Sequence, residues 1–289
     1  MYLRPLLLAL LLGAAPAALL AQAAAVPQAA QAETVSPRIK ALSDTMMMSD
    51  VMSVMRDEGM DYGKTLDTEL MSGAGGARWQ ATVGEIYDPA VMRARFDAAL
   101  SAQLADAQDV LPQIEAFFGS DQGQTFLRLE IEARRALLDQ DVEDAAKVSW
   151  EDMKAVDSPR LEQINRFVEA NDLIESNVMG ALNSNLAFYR GMGASGSFPE
   201  EMTEEQMLSD VWTQEPDIRA ETVDWLYPFL ALSYQPLSDD DFEAYIAFSE
   251  TPAGARMNAA LFAAFDVVFS QISYDLGYAA AKQMQGQDI

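Results

Sequence analysis

The sequence predicts an all-α protein made of two tandemly duplicated multi-helix modules packed together. Three observations predict it. Apolar residues recur at three-four spacing along most of the chain, caps and prolines sit where that pattern starts, and blocks of the first half return in order in the second. No segment alternates apolar and polar residues with β-branched enrichment, as a half-buried strand would.

The chain opens on Met1-Tyr-Leu-Arg4, an apolar run from Leu6 to Leu12 and small residues ending in Ala21-Gln22-Ala23. A short basic start, a leucine-rich centre and an A-x-A site form a secretory signal peptide. Gly13 and Pro16 interrupt the run, and a bilayer span needs roughly 20 apolar residues. Residues 1–23 are therefore read as a cleaved signal, which places the mature chain in a Gram-negative-type periplasm. Residues 24–37, rich in Ala, Gln and Pro, read as a disordered lead-in. Module 1 is expected over 38–149 and module 2 over 160–284, joined near Trp150 to Pro159. No later stretch is expected to be long and apolar enough to span a membrane, so no integral membrane segment is expected after signal cleavage.

Within module 1, Met47/Met48, Val51/Met52 and Val54/Met55 form a wide apolar stripe on one helix face. Helical runs follow over Ala77 to Tyr87 and Ala90 to Ala107, the second after Asp88-Pro89, a cap with proline at the first helical position. In module 2, Thr203 with Gln206 and Ser238 with Asp241 have capping-box spacing. The last helix carries Phe262, Phe265, Phe269, Ile272 and Leu276 at three-four intervals.

Three blocks repeat. Ser49-Asp-Val-Met-Ser-Val-Met55 is echoed by Ser176-Asn-Val-Met-Gly-Ala-Leu182, with Tyr62 falling on Tyr189 and a glycine-rich stretch after each. Thr82-Val-Gly-Glu-Ile-Tyr87 is echoed by Thr222-Val-Asp-Trp-Leu-Tyr227. Ile114-Glu-Ala-Phe117 leads through Ser120 to Gly123 as Tyr245-Ile-Ala-Phe248 leads through Thr251 to Gly254. The order and near-constant offsets point to a tandem duplication. The third block reads as a tight corner: a helix stops, a hydroxyl caps the next, and a glycine lets the two approach.

The segment from Leu237-Ser-Asp-Asp-Asp-Phe242 through Phe248-Ser-Glu-Thr-Pro-Ala-Gly254 and its long apolar helix resembles an exported bacterial family, domain of unknown function 2059 (DUF2059). Met55-Arg-Asp-Glu-Gly-Met-Asp-Tyr-Gly63, Trp79 and Ile86-Tyr-Asp-Pro89 are similar to alphaproteobacterial members of it. The resemblance covers about residues 40 to 280 and implies an exported all-helical fold. It supplies no catalytic or binding residue.

Composition narrows the chemistry. Without Arg4 the mature chain has 18 basic against 45 acidic residues, a net charge of −27. Such a surface repels phosphate backbones, so nucleic acid is not an expected partner. The absence of cysteine leaves no disulfide, and the absence of both Cys and His removes Ser-His-Asp and Cys-His nucleophile systems and the usual zinc sites.

The candidate ligand-binding residues are Met47, Met48, Met52 and Met55, which either pack a core, line a groove or offer soft thioethers to Cu(I). Core packing is favoured, because the second copy carries mostly apolar residues without sulfur. Gly191-Met-Gly-Ala-Ser-Gly196 spells G-x-G-x-x-G but lacks the preceding strand, so it reads as a flexible inter-helix loop. Asp239-Asp-Asp241 lacks a calcium loop and reads as a capped helix start; Asp139 to Asp144 reads as a solvated face. Arg134-Arg135 reads as a surface ion-pairing patch, and the four tryptophans as packing anchors.

The functional expectation is a non-enzymatic periplasmic interaction or structural module with an envelope protein partner and no cofactor. The alternative is a small-ligand or Cu(I)-binding module using the methionine face, and the least favoured is a carboxylate-based hydrolase.

Overall fold

Thirteen helices follow one another among the described residues, with no strand between them. The structure, a computed structural model, describes residues 35–156, 158–196 and 202–286. Residues 1–23, read from the sequence as a signal peptide, and most of the expected lead-in lie outside the described residues.

The predicted caps set the helix starts. Helix α1 (Pro37–Thr45) and the long α2 (Met48–Met71) are followed by α3 (Gly76–Ile86) and α4 (Pro89–Gln103). The Asp88 carboxylate accepts from the Ala90 and Val91 N–H groups at 2.9 and 3.0 Å, as Asp-Pro spacing requires. Helix α4 ends at Gln103, short of Ala107, because turns intervene before α5 (Leu111–Phe118). Then come α6 (Asp121–Ala136), α7 (Gln140–Ala155), α8 (Pro159–Ala170), α9 (Leu173–Ala194) and α10 (Glu204–Trp212). The last three are α11 (Glu215–Tyr234), α12 (Asp239–Ser249) and α13 (Pro252–Met284). Thr203 and Gln206 make both halves of a capping box at α10. At α12 Ser238 accepts from the Asp241 N–H at 3.1 Å, but the Asp241 carboxylate turns to the serine hydroxyl instead.

Both predicted corners form. Ser120 and Thr251 each accept from a glycine N–H, Gly123 or Gly254, at 3.0 Å. Each hydroxyl in turn donates to the carbonyl of Phe117 or Phe248, at 2.6 and 2.7 Å. A Cβ on either glycine would run into that same phenylalanine carbonyl, which is why glycine is required. Phe117 and Phe248 stack on each other with ring centroids 3.7 Å apart. A further correspondence escaped the sequence reading: Ser36-Pro37-Arg38 opens α1 and Ser158-Pro159-Arg160 opens α8. Met47 and Asp172, both left-handed with φ of 56° and 44°, then open α2 and α9. That pairing lies two residues away from the register of the sequence echo. The glycine-rich stretches do not correspond, since 73–75 connects α2 to α3, with Gly76 opening α3, and 191–194 is the last turn of α9.

The halves do not keep separate cores. One cluster runs from Ile39 in α1 to Ala280 in α13. Helix α13 packs on α9 and also on α2, α3, α4 and α5 of the first half, while α11 packs on α6 and α7. The connection expected near Trp150 to Pro159 is shorter than that: α7 runs through Trp150 to Ala155. Trp150 is held there by stacking on Tyr227 at 4.9 Å. Trp79 is likewise an anchor, fully buried with its indole N–H on the Gly63 carbonyl at 2.7 Å. Trp212 is not: it is 54% exposed on α10.

Helix α13 corrects a second expectation. It is long and apolar enough to cross a membrane by length and composition, with a mean hydropathy of 1.3 over its best 18 residues. Half of that window is buried within the fold. A central helix contacted from several sides is apolar over most of its circumference, so composition alone does not separate it from a span.

Candidate functional site

The long α9–α13 pair is drawn together by two glycines. Gly191 lies against the Tyr274 carbonyl and Tyr278 N–H, and Gly277 against the Phe188 carbonyl. Stretch 191–196 is therefore no phosphate loop and no flexible connector: through Ala194 it is helix, and Gly191 is buried in a helix contact. Toward the N-terminal end of α9, around Asn177 and Gly180, the two helices frame a cleft of about 320 Å³ with the first half of α13. That volume is at the lower end of small-ligand pockets, about 300–1,000 Å³.

The cleft has an apolar side and an acidic rim. Phe262, Ala263, Phe265 and Phe269 come from α13; Met179, Gly180 and Ala181 come from α9. Met179 is 43% exposed, an open thioether in contrast to the methionines of α2. Asp172 and Glu175 contribute from the start of α9 and Asp266 from α13. Glu175 is neutralised by a bidentate pair with Arg219 of α11, and those hydrogen bonds hold its carboxyl below the usual range. Asp172 and Asp266 have no cationic partner among the described residues. Burial pushes both carboxyls up, Glu175 adds to the effect on Asp172, and the Asn183 amide, donating at 2.8 Å, partly offsets it on Asp266.

Asn177 also lines the cleft and is 95% buried, its exposure being 5%. Its Nδ2 donates to the Leu173 carbonyl at 2.6 Å, while Oδ1 has no hydrogen-bond partner among the described residues. A buried amide oxygen left in this way costs about 1–3 kcal/mol unless something donates to it.

The methionines named from the sequence lie elsewhere. Met48, Met52 and Met55 have no exposed surface, and Met47 is partly buried against the same core. In that position a ligand from solvent cannot reach the three inner thioethers without displacing α2. Replacing Met48, Met52 and Met55 by leucine should keep the fold at under about 1.5 kcal/mol per site, since such swaps conserve volume. Equilibrium denaturation of the triple variant checks this, and Cu(I) titration of it should match the wild type.

Other sequence candidates resolve into structure. Asp239 to Asp241 form the first turn of α12, and Asp139 caps α7 through the Asp141 N–H at 2.9 Å. Arg134 is not on the surface: only 6% exposed, it grips Glu58 through two hydrogen bonds of 2.6 and 2.7 Å. Four residues earlier on α6, Glu130 is buried among aromatic rings. Its Oε1 accepts from the Tyr234 hydroxyl at 2.7 Å and from Tyr245 at 3.3 Å, and its Oε2 has no partner among the described residues. Burial is the main cause that raises its pKa to about 8, against the two tyrosine hydrogen bonds. Glu130 is only 3% exposed, so its consequences are for stability.

Sequence reasoning missed the cleft. Its signals were an isolated Asp266 inside an apolar run and the asparagines 171, 177, 183 and 185, poor helix formers crowded into α9 and its approach. No family model, no curated protein and no solved structure matches this chain.

Proposed function

We propose that the mature chain is a non-enzymatic binding module of the periplasm that recognises its target in the α9–α13 cleft. The observation that carries this reading is the cleft itself: a preformed concavity lined by Asn177, whose buried oxygen has no partner among the described residues, and by two carboxylates with no cationic partner among them. Cys and His are absent from the whole sequence. No group of three acidic side chains among the described residues is placed to hold a metal ion. The chemistry on offer is recognition by hydrogen bonds, charge and apolar contact.

Export through residues 1–23, kinship with the DUF2059 family and origin by tandem duplication belong to the same proposal. Support for the duplication comes from the twin hydroxyl-glycine corners, the twin Ser-Pro-Arg starts and the two left-handed junctions.

Native mass spectrometry of protein purified gently from the envelope fraction tests the reading. The expected spectrum has a mature chain starting at Ala24 and an added mass that disappears in Gly180→Phe, which fills the cleft from a position where a Cβ meets nothing within 4 Å. An added mass that Gly180→Phe retains would place binding elsewhere.

A further inference from the structure

The structure assigns the α9–α13 cleft to an organic ammonium ion carrying an aromatic or branched apolar body, an inference that rests on the cleft being the binding site. Charge is the first argument. Asp172 at the start of α9 and Asp266 on α13 line the cavity from its two walls, and neither has a cationic partner among the described residues. Arg219, the positive group beside it, is committed to Glu175 and Glu215. An anionic ligand would meet two uncompensated carboxylates, and a neutral one would desolvate them without replacing the lost water. A cation supplies what both lack.

Shape and chemistry argue the rest. Asn177 adds an acceptor dipole and no donor beside the cleft: its Nδ2 is spent on the Leu173 carbonyl, and its buried Oδ1 has no hydrogen-bond partner among the described residues, so its negative end favours a cation over an anion. Phe262 and Phe269 provide aromatic surface for the apolar body and for cation–π attraction. Met179 adds an adaptable, polarisable wall. A bare metal ion suits this setting poorly, with apolar walls on one side and the third carboxylate, Glu175, committed to Arg219. Asp172 also holds a left-handed backbone conformation at φ 44°, a strain that sits at the mouth of the cleft.

Calorimetric titration of the mature protein with 2-phenylethylamine, 2-phenylethanol and 3-phenylpropionate tests the assignment. The amine should bind about ten-fold or more tightly than the alcohol, one charge interaction's worth, and the carboxylate should not bind. Asp266→Asn and Asp172→Asn should each weaken the amine several-fold and change the alcohol far less. The second is on the exposed rim, tolerates the left-handed backbone and keeps the test intact if the first impairs folding. Alcohol binding as tight as amine binding, abolished by Gly180→Phe, would overturn the cation assignment and leave the cleft as the site. No heat with any of the three, while naturally bound mass still vanishes in Gly180→Phe, would likewise sink the ammonium class alone. Failure of both experiments would remove the site as well.

Discussion

Alanine at Gly191 should destabilise the protein by about 3 kcal/mol, whereas alanine at Gly180 in the same helix should stabilise it by up to about 1 kcal/mol. Helix propensity acts equally at the two positions and favours alanine at both. What differs is the neighbour. A Cβ at Gly180 meets nothing within 4 Å, but at Gly191 it would collide with the Tyr274 carbonyl and the Tyr278 N–H of α13. Neither group is the end of a flexible side chain, so the two longest-packed helices must separate to admit it. Gly277→Ala should behave like Gly191→Ala, since it meets the Phe188 carbonyl from the opposite side. Urea denaturation of the three variants measures this, and a lower midpoint with unchanged slope is the expected form for Gly191→Ala and Gly277→Ala.

The second large effect concerns Glu130. Burial raises its carboxyl to about 8 in the folded state, from the ordinary glutamate value of 4.5. Below the unfolded value both states hold the proton and the residue imposes no penalty. Between the two values the unfolded chain releases the proton while the folded chain keeps it. Stability therefore falls by roughly 1.4 kcal/mol per pH unit across that window and levels off above about pH 8. Asp172, Asp266 and Asp275 are also raised by burial and add losses of the same sign over narrower ranges. Glu115, Glu175 and Glu204, lowered by their arginine partners, act in the opposite direction at acid pH. Glu130→Gln isolates the one contribution: it keeps an acceptor for Tyr234 and Tyr245 and cannot ionise. The variant should match the wild type near pH 4 and exceed it by several kcal/mol at pH 9. Chemical denaturation at the two pH values checks this; equal stability of the two proteins at pH 9 would show that Glu130 ionises without penalty.

How much of this was legible beforehand depends on how local each signal is. The corners at Gly123 and Gly254, the Asp88-Pro89 start and the Thr203 capping box are written within a few adjacent residues, and the structure has them all. Gly191 misled because glycine has two uses. Its neighbours spell a loop, while its job is to face a carbonyl more than eighty residues away. Glu130 and Arg134 follow apolar residues at ordinary surface spacing, so which of them turn inward depends on where α2, α11 and α12 come to lie. The methionine stripe was legible as a packed face: Met48, Met52 and Met55 are buried on one side of α2. The cleft was not, because it joins Asp172 and Asn177 to Asp266 and Phe262 across two helices that no local pattern brings together.

Amide chemical-shift mapping with a small fragment library of cations, neutrals and anions tests the account most directly. It predicts that shifted resonances gather on 172–184 and 262–269, led by the cationic fragments, and vanish in Gly180→Phe. Shifts gathered on another face, such as α2 or the exposed side of α10, would contradict it.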